Sequence, residues 1–110
     1  MSEVTIEGFA ALDLRIGTIL AAERVPDTDK LVRFEIDLGD EKRQIVGGLA
    51  LSYPDPSVLI GKQVPVLVNL APRTIRGFES QGMVLAASNE EGGPVALHPD
   101  KTVPPGTKVR

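Results

Sequence analysis

The 110-residue sequence contains no cysteine, no tryptophan and a single histidine, His98. Without cysteine the chain can form no disulfide and no thiolate metal site. A zinc site needs several His or Cys ligands, and a Ser-His-Asp triad would have to use His98, which lies in a turn-like Leu-His-Pro-Asp run. The residues Asp27-Thr28-Asp29 resemble the first half of a calcium loop, but its later ligands are missing. The sequence therefore predicts no metal site, no cofactor and no enzymatic activity.

Long apolar runs and targeting signals are also missing. No apolar stretch approaches the roughly 20 residues that a membrane-spanning helix needs. The first residues, Met1-Ser2-Glu3-Val4, lack the basic and then apolar pattern of a signal peptide. We therefore expect a cytoplasmic protein without a membrane segment. The length fits one compact domain, so we expect residues 1–110 to fold as a single unit.

Positive charge is scarce overall but is concentrated in the middle of the chain. The net charge is −3, which by itself argues against nucleic acid as a ligand. Residues 1–41 hold four Lys/Arg and ten Asp/Glu, whereas residues 42–79 hold five and two, and residues 80–110 hold three of each. A local cationic surface formed by the middle segment is one interpretation, and ordinary scatter of surface charge is the other.

Short strands with a period of two make up most of the pattern. Apolar residues alternate with polar ones from Leu12 to Ile16, before the strand continues to Ala22, and again from Val32 to Leu38. After a tight turn at Gly39-Asp40, residues 41–46 return as a third strand, which predicts a three-stranded meander with one buried face. Gly17 interrupts the first strand and predicts a bend or bulge there.

A helix and further strands follow the meander. Asp55-Pro56 before Val58-Leu59-Ile60-Gly61 predicts a short capped helix. Alternation resumes from Gln63 to Leu70, residues 71–81 read as a long polar connection, and residues 82–87 and 95–97 read as strands. This order predicts an all-β OB-fold: a five-stranded Greek-key barrel with a short helix between strands 3 and 4, plus additional C-terminal strands.

Aromatic residues make up only 4% of the chain. Phe34 falls on the buried face of its strand, so too few rings remain for a track on which successive bases stack. Any nucleic acid should therefore be recognised by its folded shape and its phosphates. Lys42 and Arg43, just after the turn between strands 2 and 3, and Arg73 and Arg76, in the polar connection, are candidate phosphate contacts.

The segment from Asn69 to Ala87, with its Arg-Gly-Phe-Glu-Ser-Gln-Gly-Met block, closely resembles the signature of the tRNA-binding domain appended to methionyl-tRNA synthetases and found in free-standing dimeric tRNA-binding proteins. Shorter matches occur at residues 12–17, 29–31, 37–39 and 44–46. The resemblance implies an OB-fold, a homodimer and recognition of the tRNA outer corner irrespective of sequence. It also implies RNA-contacting roles for Lys30, Asn69, Arg73, Arg76, Ser80, Gln81 and Met83.

Two other functions are open at this point. The C-terminal run from Pro99 to Val109 resembles a sister branch, the CsaA-type export chaperones, which implies binding of unfolded preproteins. A third hypothesis is an assembly module that docks on an aminoacyl-tRNA synthetase. The salt dependence of binding separates tRNA binding from the chaperone function. Phosphate binding releases counterions, whereas an apolar groove holds a peptide largely independently of salt.

Overall fold

Short strands make up most of the secondary structure in the computed structural model, which describes residues 2–110. The elements in chain order are α1 (Ile6–Ala10), β1 (Leu14–Arg24), β2 (Val32–Asp37), β3 (Lys42–Gly47), a 3₁₀ helix (Pro56–Leu59), β4 (Gln63–Leu67), β5 (Arg73–Ile75), β6 (Phe78–Ser80), β7 (Met83–Val84), β8 (Ala86–Asn89) and β9 (Gly93–Ala96). Across residues 2–110, none of the helices has the length and apolar character needed to cross a membrane.

The predicted meander is confirmed. β1 pairs antiparallel with β2, and β2 pairs antiparallel with β3. Burial alternates strictly along β2, where Val32, Phe34 and Ile36 are all fully buried and the residues between them are partly exposed. This alternation puts one face of the meander into the core, as the period of two predicts.

The irregularity in β1 lies at a different residue from the one predicted. The register between β1 and β2 shifts between Ile19 and Ala21, so the extra residue is Leu20 and not Gly17. Gly17 is needed for another reason: a Cβ there would overlap Ile36 Cγ2 and lie 3.2 Å from Leu38 Cδ2. The glycine marks a close approach of side chains in the core, and the bulge three residues later bends the strand.

The main sheet has the order β3-β2-β1-β4-β7, an antiparallel barrel that is nearly closed. Side chains seal the gap between its two ends. The N–H of Val46 donates to Ser80 Oγ at 3.0 Å, and the N–H of Gln44 donates to Gln81 Oε1 at 3.1 Å. The N–H of Gln81 donates in turn to the Gln44 carbonyl at 2.8 Å. We call this set of bonds the barrel seal; it completes the predicted OB-fold.

One predicted connection needs correction, one helix was not predicted, and one predicted helix is confirmed. Residues 71–81 are not an irregular loop, because β5 and β6 form a hairpin within them. The N-terminal helix α1, capped by Thr5, was not predicted. The short helix before β4 is confirmed as one 3₁₀ turn, and Asp55 caps it by accepting the Ser57 N–H at 3.2 Å. The additional C-terminal strands are the β8–β9 hairpin.

The C-terminal segment is tied to the start of β1. The Ile16 N–H donates to the Thr107 carbonyl, and the Val109 N–H donates to the Leu14 carbonyl, both at 2.8 Å. Beside them, the Asp13 carboxylate accepts two bonds from the Arg15 guanidinium, each 3.0 Å long. Lys108 Nζ from the tail lies 3.4 Å from the same carboxylate. The bonds from Arg15, and more weakly those from Lys108, lower the pKa of Asp13.

Acid should weaken this attachment. Because the folded-state pKa of Asp13 is lowered, its contribution to stability is fully present above the unfolded-state pKa and is lost as the pH falls through the folded-state pKa. We expect the urea midpoint of unfolding to fall between about pH 6 and about pH 3, the range that spans the ordinary Asp pKa. Asp13→Asn should lower the midpoint at pH 6 and flatten the acid limb, and Asp100→Asn should do neither. An unchanged acid limb in Asp13→Asn would contradict the assignment.

Removing the Ser80 hydroxyl should destabilise the barrel. Ser80 is fully buried, and Ser80→Ala leaves the Val46 N–H without its acceptor. We expect a loss of about 1–3 kcal/mol in the free energy of unfolding, the range for an unsatisfied buried group. Urea titration followed by circular dichroism measures it. Ser88→Ala, at an exposed position of β8, is the matched control, and an equal, small effect in both variants would show that the seal is not needed.

Candidate nucleic-acid interface

A cleft of about 390 Å³ lies between the end of β3, the β5–β6 hairpin and the β7–β8 segment. We call it the hairpin cleft. Its walls include five apolar side chains and one cation: Leu31, Leu49, Ile75, Met83, Leu85 and Arg73. Lys30 directly precedes Leu31 and is held near the cleft because its carbonyl accepts the Ala50 N–H at 3.0 Å. The fold therefore brings three of the predicted site residues, Lys30, Arg73 and Met83, to one place.

The exposed cations near the cleft are free to meet a ligand. Lys30, Arg73 and Arg76 are all exposed. The ion pairs formed among residues 2–110 use other cations, namely Arg15, Arg33, Arg43 and Lys108. The three free side chains can therefore donate charge-assisted hydrogen bonds to phosphate oxygens without first giving up a protein partner.

The β5–β6 hairpin holds Arg76 at its tip. Ile75 pairs with Phe78 across a two-residue turn made of Arg76 and Gly77, with φ of 51° and 85°. Positive φ at both central residues is typical of a type I′ turn, whose twist suits a hairpin. A non-glycine residue in this region costs about 1–2 kcal/mol. Such local strain is concentrated at functional sites, which fits an arginine displayed at the turn.

The strand register of the β5–β6 hairpin places Arg73 and Glu79 on opposite faces. Arg73 pairs with Ser80, and Thr74 pairs with Glu79. Because neighbouring residues of a strand point to opposite faces, Glu79 lies on the face opposite Arg73. The one carboxylate of the hairpin therefore does not cover the cationic face that borders the cleft.

The hairpin is docked on the barrel by an aromatic contact that the sequence analysis missed. The Arg33 guanidinium lies 5.6 Å from the centroid of the Phe78 ring. Arg33 also donates to Gln44 Oε1 at 3.2 Å, while Gln44 Nε2 donates to the Glu79 carbonyl at 2.9 Å. A signal was available, because the alternation that places Phe34 in the core places Arg33 on the outer face of β2. These contacts fix the position of the hairpin and therefore the position of Arg73.

Three residues that the resemblance assigns to RNA contact are occupied by the protein itself. Ser80 Oγ is fully buried, accepting from Val46 and donating to the Gly82 carbonyl at 3.1 Å. Gln81 is engaged in the barrel seal. Asn69 joins two loops, accepting from the Asp13 N–H and donating to the Ala11 carbonyl, both at 2.8 Å. In this conformation these side chains position the turn that leads to Met83, and their direct contact with RNA stays a prediction.

Lys42 and Arg43 do not join the cluster either. Arg43 donates to the Val68 carbonyl at 2.6 Å and pairs with Glu41, whose pKa it lowers. It therefore braces β3 against the loop after β4. Lys42 is exposed but stands five residues from Gly47, which lines the cleft at the far end of β3. At about 3.3 Å per residue, that places Lys42 about 16 Å along the strand from the cleft.

The groups considered for catalysis are not gathered in this structure. Within residues 2–110, no set of three or more His, Cys, Asp or Glu side chains is placed to hold a metal ion. His98 is exposed, and its Nδ1 lies 2.7 Å from the Gln63 carbonyl, to which it donates. This contact fastens the segment after β9 to β4, so the ring has a structural partner.

Comparison with known proteins identifies the family of the chain. Residues 14–108 match the family described as "Putative tRNA binding domain". The chain is 51% identical over 107 residues to the methionine–tRNA ligase of Archaeoglobus fulgidus, covering 97% of this chain but only 16% of the ligase. Among solved structures, a MetRS-related protein from Pyrococcus horikoshii superposes with a TM-score of 0.92 at 34% identity, covering 100% of both chains.

The chaperone branch is represented as well. The chaperone CsaA from Bacillus anthracis superposes with a TM-score of 0.89 at 37% identity, covering 99% of this chain and 100% of that one. The family resemblance inferred from the sequence is therefore confirmed in both of its branches. The chain belongs to the tRNA-binding domain family, whose fold is shared by a region of methionine–tRNA ligases and by CsaA chaperones.

Proposed function

We propose that this protein binds the folded shape of tRNA irrespective of its nucleotide sequence, as a non-catalytic module. The observation that carries the proposal is that Arg73 lines the hairpin cleft, with Lys30 and Arg76 next in the chain to two other lining residues, Leu31 and Ile75. All three cations are exposed and lie outside the ion pairs formed among residues 2–110. Cations in fixed positions contact phosphates at fixed spacing, so they select a rigid RNA shape.

The weak overall charge sets the conditions for binding. With a net charge of −3, the chain has little long-range attraction for RNA. Affinity must come from local phosphate contacts, each of which releases counterions, so it should fall as the salt concentration rises.

The choice between tRNA and unfolded preprotein rests on a direct comparison. A gel-shift titration against intact tRNA and against a permanently unfolded polypeptide, at about 50 mM and about 200 mM salt, separates the two. We expect binding of tRNA that weakens strongly at the higher salt. Salt-independent binding of the polypeptide without binding of tRNA would favour the chaperone function, which the likeness to CsaA and the apolar cleft walls support.

Neutralising the hairpin should weaken tRNA binding. We expect the double variant Arg73→Ala/Arg76→Ala to lose about 1–3 kcal/mol of binding free energy and to show a shallower salt dependence. The double variant Lys62→Ala/Lys101→Ala removes the same charge from exposed positions outside the cleft and is the matched control. Equal losses in the two variants would mean that only net charge matters and would place the site elsewhere.

We further propose a homodimer that pairs through the terminal segments. Helix α1 buries none of its own residues, and Val4, Ile6 and Leu12 are 85%, 74% and 42% exposed. A second cleft of about 280 Å³ opens between this helix and the C-terminal residues Val109 and Arg110. A second copy would cover these apolar groups and set two cationic surfaces on one side of the dimer.

Light scattering tests the dimer. We expect a species of twice the 11.7 kDa chain mass, and we expect Ile6→Glu to shift it to the monomer because the variant puts a charge into the contact. Val58→Glu changes an apolar residue that is 54% exposed, on the 3₁₀ helix, and should leave the dimer intact. A wild-type monomer at micromolar concentration would remove this part of the proposal.

A synthetase partner and the cellular location follow as parts of the same proposal. The chain matches a segment that makes up 16% of the length of a methionine–tRNA ligase. We therefore propose that it works beside a synthetase by holding tRNA. Because the proposed ligand is tRNA, we also propose that the protein is cytoplasmic.

A further inference from the structure

Contacts with phosphates do not explain why the wall of the hairpin cleft is apolar. Cations alone satisfy phosphate oxygens, yet the cleft between them exposes Ile75, Leu85 and Met83, the last with 37% of its surface accessible. We propose that the hairpin cleft takes one unpaired nucleobase of the bound RNA, with the phosphates on either side of that base held by Lys30 and Arg73. This inference rests on the proposed function and adds the chemical group that enters the site.

The size of the cleft limits what can enter. Its volume of about 390 Å³ falls near the lower end of the roughly 300–1,000 Å³ that small-molecule sites occupy. It therefore suits a single flat ring system and not a row of stacked bases. This agrees with the shortage of aromatic side chains, since the base would lie between Leu, Ile and Met side chains instead of on a track of rings.

Charge selects a nucleotide over an apolar side chain of a peptide. A nucleobase carries a phosphate on each side, whereas the backbone beside a peptide side chain is neutral. Arg73 lines the cleft itself and Lys30 stands at its edge, so an apolar group flanked by negative charge is the complementary ligand. The Arg73 guanidinium can also lie flat against a base, an arrangement common in RNA recognition.

Two glycines keep the cleft open. Gly47 and Gly48 line its wall. A Cβ built on Gly48 would meet only the Lys30 carbonyl oxygen, at 4.0 Å, which is ordinary contact. A side chain at position 48 therefore begins in open space, and we expect the leucine of Gly48→Leu to fill part of the cleft and to leave the core in place. At position 47 the nearest atom would be Leu49 Cδ1 at 3.3 Å, so Gly48 is the better site for a filling variant.

The test is a double-mutant cycle between cleft and base. Intact tRNA and a set of tRNAs, each with one unpaired base of the outer corner replaced by an abasic nucleotide, are titrated against the wild type and Gly48→Leu. One abasic position should lower wild-type affinity about 10-fold, a typical effect for a docked base. Gly48→Leu should bind intact tRNA about 10-fold more weakly than the wild type does. For this variant, removing the same base should lower the affinity no more than about 2-fold further, because the leucine already excludes the base from the cleft.

A second pair of variants tests the same inference if Gly48→Leu does not fold. Ala86 lines the cleft from β8, while its neighbour Ala87 points to the other face of that strand and is exposed. Ala86→Leu should reproduce the effect of Gly48→Leu, and Ala87→Leu should bind as the wild type does. Circular dichroism and the urea midpoint report whether each variant is folded.

The other outcomes overturn the inference in different ways. If no abasic position costs the wild type more than about 2-fold while intact tRNA binds, the base is not held and the proposed function stands alone. Should both filling variants lose unfolded polypeptide but keep tRNA, the cleft holds an apolar peptide side chain. Failure of the wild type to bind intact tRNA at low salt would end the proposed function and this inference together.

Discussion

The barrel seal is the interaction on which the rest of the molecule depends. The strands β3 and β7 stand at the two ends of the main sheet, and the side chains of Ser80 and Gln81 supply hydrogen bonds between β3 and the segment that leads into β7. The same bonds fix the base of the β5–β6 hairpin, because Ser80 is the last residue of β6. Closure of the barrel therefore also positions Arg73, and the side chains of Ser80 and Gln81, which the resemblance assigns to RNA contact, hold the scaffold in this structure.

The structure also shows how an acidic chain can present a cationic surface. Arg15, Arg33 and Arg43 are each tied to a carboxylate, so the charge of these three cations is satisfied within the protein. Lys30, Arg73 and Arg76 are not in such pairs and remain exposed. The net charge counts the paired and the unpaired cations alike, but only the unpaired ones are available to an anion outside the protein. Local geometry therefore matters more than the total of −3, since salt screens interactions beyond about 8–10 Å.

Residues that hold the fold and residues that are exposed at the surface share the same signature segment. Within residues 69–83, Asn69, Ser80 and Gln81 bond to the protein's own backbone, while Arg73, Arg76 and Met83 are exposed. A motif of this kind can be specific for a family because it encodes both the shape of a turn and the groups displayed on it. The contact between Arg33 and Phe78, which was not predicted, also holds the fold, because it fixes the position of the β5–β6 hairpin against β2.

The sequence by itself determined the period-two strands, the capped turn at Asp55 and the family, because alternation, N-caps and a contiguous motif are local properties of the chain. Only the tertiary structure decided which of the polar residues predicted for the site are exposed and which lie close to one another. Ser80 became buried because β3 and β6 meet there, and Lys42 was separated from Lys30 by the length of β3. Burial and hydrogen-bond partners arise between residues distant in the chain, as in the bonds from Gln44 to Gln81, and no local pattern specifies them.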